Sequence, residues 1–210
     1  MFLLVFVAAV GVGILGLATL LIDVLIDGLP SLSWKFLSSY ASRRPLESGI
    51  LAPLAGTVWV VGLTALLTIP VGVGTAIYLE EFAAKNKLTR LIELNIANLA
   101  GVPSVVYGLL GLGLFVRWLG LGRSILAGSM TMSLLILPLI IVASREAIRA
   151  VPNSLRDGSL ALGATRWQMV SRTVLPGAAG GVLTGTILAL ARAVGETCLL
   201  YTSDAAAERS

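Results

Sequence analysis

Two places in this sequence hold residues whose types and spacing could do chemistry. The stretch "ARAVGET" sets Arg192 and Glu196 four residues apart, which puts both on one face of a helix. A guanidinium suits an oxyanion because its planar fork can donate two parallel hydrogen bonds. Glu196 could hold that fork in place, or restrain affinity so that an anion leaves again, with Thr197 as a further hydroxyl contact. An internal salt bridge, with Arg192 snorkelling outward, accounts for the same two residues equally well. The second place is "RDGSLALGATRWQMVSRTVLPGA", Arg156 to Ala178, a polar segment with three arginines, one Asp, a central Gly and a closing Leu-Pro. It interrupts a chain that otherwise reads as a row of apolar helices.

Several chemistries are absent. The chain has no His and a single Cys, Cys198, so a haem, a zinc site or a disulfide framework has no ligand set to build on. Paired intramembrane acids are lacking too, which argues against an intramembrane enzyme. No Gly-rich phosphate loop ending in Gly-Lys-Ser or Gly-Lys-Thr occurs, so ATP is not expected to bind this chain itself. The net charge of +4 and pI ≈ 9.6 are explained by Lys and Arg in loops, without nucleic acid as a partner.

The elements that must position these residues are membrane spans. Hydrophobic residues make up 57% of the chain and charged ones 12%, with a mean hydropathy of +0.95; soluble domains carry about twice that charge. The pattern predicts an all-α polytopic membrane protein with five spans at about 2–26, 53–79, 93–116, 124–143 and 174–197. The opening run has no basic flank and is too long for a signal peptide, so it counts as the first span. If the connection 144–173 is cytoplasmic, the inside loops hold Lys85, Lys87, Arg90, Arg145, Arg149, Arg156, Arg166 and Arg172. The outside loops then hold only Lys35, Arg43, Arg44, Arg117 and Arg123, a bias that favours this orientation and a cytoplasmic N-terminus. Asp23 and Asp27 fall near the outer end of the first span, where interfacial placement explains them. Pro103, in "GVPSVVYGLLGLG", is expected inside the third span as a kink, where Ser104 and Tyr107 could line a solute route. Gly177, Gly181 and Gly185 repeat at four-residue spacing, which permits close helix approach, either within the chain or to a partner.

Within the polar segment, Ser154 and Asp157 have the form of a helix start, opening a helix over Leu155–Leu162 that Gly163 ends. Thr165 and Gln168 form a second capping box, opening Arg166–Thr173, and Pro176 suits the first turn of the next span. Leu160, Leu162, Trp167, Met169 and Val170 provide apolar surface. Two short helices at a glycine corner can rest on lipid headgroups or fit a groove on a cytoplasmic partner. Periodicity does not choose between these.

The order of residues does. Asp157, Gly163 and Leu175-Pro176 resemble the EAA loop of ABC-importer membrane subunits, with Gly and Leu-Pro in register. Asp157, Gly158 and Ser159 stand where that family has Glu-Ala-Ala, and Thr173 replaces its Ile, so the match is partial. The wider text "SREAIRAVPNSLRDGSLALGATRWQMVSRTVLP", with "YASRRPLESGI", "GVPSVVYGLLGLG" and "ARAVGET", is most similar to the A-type permease subunits of phosphate importers. These motifs cover most of the chain from Ser39 to Thr197. The resemblance implies a type I ABC importer fold, with a sixth span expected beyond residue 197. It implies that Asp157, Gly163, Arg166, Trp167, Leu175 and Pro176 form coupling helices that dock on a cytoplasmic ATPase dimer holding ATP and Mg. It further implies a second, homologous permease subunit, a periplasmic or surface phosphate-binding protein, and residence in a bacterial or archaeal cytoplasmic membrane. Arg192, Glu196, Thr197, Ser104 and Tyr107 would line the anion route. Sulfate, molybdate or phosphonate permeases share the loop and stay open as alternatives, as does an ATP-independent channel or secondary transporter.

Residues 198–210, "CLLYTSDAAAERS", depart from the Ala-Pro-Leu-Leu continuation of that family. They back-translate to the start of a transposon-end adaptor and are expected to be a non-native tail on a single transmembrane domain over 1–197. The orientation is directly testable. A cysteine introduced near Gly49 should react with an impermeant thiol reagent from outside the cell, and one near Lys87 or Arg156 should not. The reverse labelling would overturn the orientation.

Overall fold

The computed structural model describes residues 2–29, 32–40, 49–84 and 86–207, with the side chains of all of these except Phe2, Leu4 and residues 197–207. Arg43, Arg44, Lys85 and the Thr197 side chain therefore lie outside the described residues, as do the side chains of the suspect tail. The chain divides into two compact units, Met1–Ala55 and Gly56–Ser210. Among the described residues every regular element is helical.

The first unit holds α1 (Phe2–Gly28), close to the expected 2–26, and the short α2 (Trp34–Ser38). Ser33 caps α2 by accepting from the Phe36 N–H at 3.2 Å, which satisfies one of the free donors at a helix start. Ile50 N–H donates back to Phe36 O and Leu51 N–H to Ser39 O, which sets where α3 (Leu51–Ile77) begins.

Most of α3 belongs to the second unit. Gly56, Val60, Thr64, Thr68, Gly72 and Ala76 recur every four residues and are buried, so one stripe of small side chains faces inward. That stripe meets α6 (Ile125–Arg149): Thr64 Oγ1 donates to Ser129 O and Ser129 Oγ donates to Val60 O, both at 3.3 Å. At its far end α3 widens into a π turn, Tyr78–Phe82.

The other large contact on α6 comes from α9 (Leu175–Ala207). A Cβ built on Gly181 would lie 2.7 Å from Ala147 Cβ, and one on Gly185 would lie 2.6 Å from Ala143 Cβ. A Cβ on Gly177 would lie 3.5 Å from the Val151 side chain, an ordinary contact. The glycine repeat therefore serves packing within this chain, where small side chains let two backbones close up in lipid. Ile136 and Ile140 pack there against Ala189 and Ala193.

Three expectations are corrected. The span placed at 93–116 is not one kinked rod. It is α4 (Lys87–Ala100) followed by α5 (Ser104–Gly111), which runs on through a π turn, Leu112–Trp118, and the two segments bend by 99°. Pro103 stands before the first turn of α5, where its missing N–H costs nothing, so it marks a break rather than a kink. The span placed at 124–143 extends to Arg149, because Arg145 and Arg149 find carboxylate partners along the helix and need not leave it. Before α9, α8 (Arg166–Met169) and a π turn (Val170–Val174) form one continuous helical run with it. Pro176 is thus inside a long helix, directly after a widened turn that relieves the lost backbone bond.

This packing predicts an asymmetry between neighbouring glycines. Gly185→Leu should destabilise the detergent-solubilised chain by about 1–3 kcal/mol through overpacking against Ala143. A Cβ on Gly180 meets no atom within 4 Å, so Gly180→Leu should leave thermal unfolding nearly unchanged.

Candidate functional site

The polar segment folds as a two-helix knob. Its first arm is α7 (Asn153–Ala161), which begins two residues earlier than the Leu155 read from the sequence. Pro152, with extended ψ of 138°, occupies the N-cap and no side chain caps the start. The Ser154–Asp157 box therefore does not form. Arg156 takes the Asn153 side chain instead.

The corner is as expected. Gly163 has φ of +84°, the left-handed region that only glycine adopts cheaply. Gly163 N–H donates to Leu160 O at 3.0 Å and Ala164 N–H to Ser159 O at 3.2 Å, the paired bonds of a Schellman ending. Thr165 then caps α8: its hydroxyl accepts from Gln168 N–H at 3.3 Å, while Gln168 Oε1 accepts from Thr165 N–H at 2.9 Å. Arg166 and Asp157 are exposed, and so are the two apolar residues nearest the corner, Leu162 at 91% and Trp167 at 63%. Met169 and Val170, expected on the knob's surface, are buried instead. They pack with Ala76, Ile148 and Val174 because the continuous helix turns them toward α3 and α6. Leu175 is half-buried and Pro176 exposed.

Beneath the knob lies a set of ion pairs that the sequence did not disclose. Glu80, in the π turn after α3, meets Arg145 at 3.3 Å and Arg149 at 3.0 Å, both from α6. Arg145 also holds Glu93 of α4 at 2.8 Å. Glu81, only 7% exposed, pairs with Arg156 of α7 at 3.0 Å. Side chains withdrawn this far from water need such partners, since an unpaired buried charge costs several kcal/mol. A cavity of about 560 Å³ opens beside Glu80, Glu93, Arg145 and Arg149, lined also by Lys87 and Arg90. The pairs join residues 52 to 75 positions apart, so no local spacing could have signalled them.

At the opposite end of α9, Arg192 is exposed and Glu196 half-buried on the chain as it stands. Among the described residues neither makes an ion pair, so their four-residue spacing does not close a salt bridge. Arg192 lies within electrostatic range of Tyr107. Tyr107 is buried, and its hydroxyl donates to Leu99 O at 2.8 Å, spanning the break between α4 and α5. Ser104 is half-buried at the start of α5.

Apolar helices long enough to cross a bilayer, counting the bent α4–α5 pair as one, together with a polar knob between two of them, are the parts of a multi-pass membrane protein. Residues 68–203 match the family described as binding-protein-dependent transport system inner membrane component, and the chain belongs to that family. It is similar to the probable ABC transporter permease protein YqgI of Bacillus subtilis, 36% identical over 181 residues that cover 86% of this chain and 62% of that protein. It is also similar to the phosphate transport system permease protein PstA 1 of Mycobacterium tuberculosis, 38% identical over 149 residues covering 71% and 49%. The chain thus spans about three fifths of the first relative and half of the second. An inward-facing structure of the methionine ABC transporter MetNI shares the fold, with a TM-score of 0.59 and 23% identity over 72% of this chain and 70% of that one.

Proposed function

We propose that this chain serves as a membrane-spanning subunit of an ATP-driven importer of inorganic phosphate. The observation that carries the reading is the knob. A glycine corner and a capping box present Leu162 and Trp167 bare, while the arm after the corner runs without interruption into α9. Such a part can receive a push from a cytoplasmic ATPase dimer and pass it to a span. ATP and Mg would reside on that partner. The pairing of similar names with phosphate transport supports phosphate over sulfate, molybdate or phosphonate. A second, homologous permease subunit and a phosphate-binding protein complete the assembly, with the knob and the N-terminus on the cytoplasmic side.

Arg192 is the residue for the anion. It sits in a span, where a charge normally faces protein or water. It is exposed on this chain and free of an ion pair among the described residues, so its donors are available to an anion in a pathway shared with the second subunit. Glu196, one turn on, moderates that attraction so that the anion leaves. Ser104, Tyr107 and Thr197 belong to the same route in this reading, with the Tyr107 hydroxyl proton already engaged by Leu99.

Two substitutions test the reading in proteoliposomes containing the assembled transporter. Gly163→Val should leave the spans inserted and ATP hydrolysis measurable, yet abolish phosphate uptake, because a β-branched residue resists the left-handed corner. Normal ATP-driven uptake would remove the docking role. Arg192→Lys should lower labelled-phosphate uptake by about tenfold to a hundredfold, the equivalent of ~1.5–3 kcal/mol for a hydrogen bond to a charged group. Neutralising Arg192 and Glu196 together should not restore it; recovery in that double variant would make the pair structural.

A further inference from the structure

The first arm of the knob is bonded to the bundle by one largely buried arginine, and that arginine reaches three elements at once. Arg156 Nε and Nη2 both donate to Glu81 Oε1, at 3.1 and 3.0 Å. Its Nη2 also donates to Ile148 O at 2.8 Å, and Nη1 donates to Val151 O and, at 3.1 Å, to Asn153 Oδ1. Ile148 lies in the last turn of α6, and its carbonyl accepts from the Val151 N–H at 3.2 Å as well as from the cation. All three guanidinium nitrogens are therefore engaged. The guanidinium closes off the end of α6, anchors α7 and neutralises the carboxylate that ends α3.

Beyond its packing on the π turn Val170–Val174, the rest of α7 offers little to hold it. None of its residues is fully buried, and apart from Arg156 and Ser159 all are exposed. Among the described residues, Arg156–Glu81 is the one ion pair that α7 makes. The two arms of the knob thus differ in how they join the spans. The arm after Gly163 is continuous with α9 through the π turn Val170–Val174. The arm before it meets α3 through a single, nearly dry charge pair, with side chains 14% and 7% exposed.

We infer that the Arg156–Glu81 pair is the strut that makes α3 follow the knob, so that Arg156 and Glu81 are positioning residues for coupling. This rests on the transport reading above. With the strut in place, displacement of the corner moves α9 and α3 together. Without it, the knob still docks and the ATPase still cycles, but only α9 is driven. Glu80 cannot take over, because it is engaged by Arg145 and Arg149 of α6 rather than by the knob.

The test measures phosphate imported per ATP hydrolysed in proteoliposomes of the complete transporter, alongside co-purification of the ATPase. Arg156→Gln and Glu81→Gln should retain ATPase binding and hydrolysis but lower the transport ratio at least about tenfold. Each leaves one buried charge alone and can misfold, so the deciding variant replaces both by Met, which removes the charges and keeps the volume. That pair should assemble and hydrolyse ATP with the same fall in ratio, whereas exchanging the charges (Arg156→Glu with Glu81→Arg) should recover a substantial part of it. An unchanged ratio in the Met pair, with the parent complex coupled, overturns the strut alone. A parent complex that hydrolyses ATP without ATP-driven phosphate uptake overturns the transport reading, and the strut with it.

Discussion

Two adjacent carboxylates withdrawn from water at the end of α3 govern how the lower part of the second unit is put together. Glu80 and Glu81 sit in a π turn, largely withdrawn from water, and each is met by a cation, because a carboxylate so placed and left alone costs several kcal/mol. Glu80 is met from α6 and Glu81 from α7. Meeting them extends α6 to Arg149 and draws Arg156 inward from the knob. A third acid, Glu93, brings α4 to the same Arg145. One charge requirement therefore places four helices around a single point.

Apolar packing supplies closeness but little direction. Along α6 many of the contacts with α3 and α9 involve Gly, Ala, Ser and Thr, whose small side chains let backbones approach without fixing which residue meets which. Directional bonds then set the register. Ser129 links to Val60 and Thr64 midway along α3, and the arginines lock its end. In lipid, where apolar side chains gain little by leaving their neighbours, such polar contacts carry more of the specificity than they would in water.

The helices bend only where something local permits it. Pro103 stands at the break between α4 and α5, and Tyr107 bridges that break to Leu99. Pro176 is preceded by a π turn that absorbs its missing donor. Between these soft points the knob is stiff, held by the Schellman bonds at Gly163 and the reciprocal cap at Thr165. The knob is thus built from local bonds at its corner and cap, on a bundle with a few defined bends.

By itself the sequence determined what local physics controls. Long apolar runs dictated membrane helices, Gly163 dictated a left-handed corner, and Thr165 with Gln168 dictated a helix start, since each depends on residues within one or two turns. It misled where a local signal met a stronger neighbour. Ser154 and Asp157 look like a cap, but Pro152 starts the helix two residues sooner and Arg156 engages Asn153. The spacing of Arg192 and Glu196 left a salt bridge open as one of two readings, and among the described residues no such bond closes. Tertiary structure alone decided that the glycine repeat packs on Ala143 and Ala147, that Met169 and Val170 point inward, and that three arginines gather at Glu80 and Glu81. Those outcomes join residues dozens of positions apart. Which arginine meets which glutamate depends on how helices stack in space, and a linear pattern of charges contains no information about that.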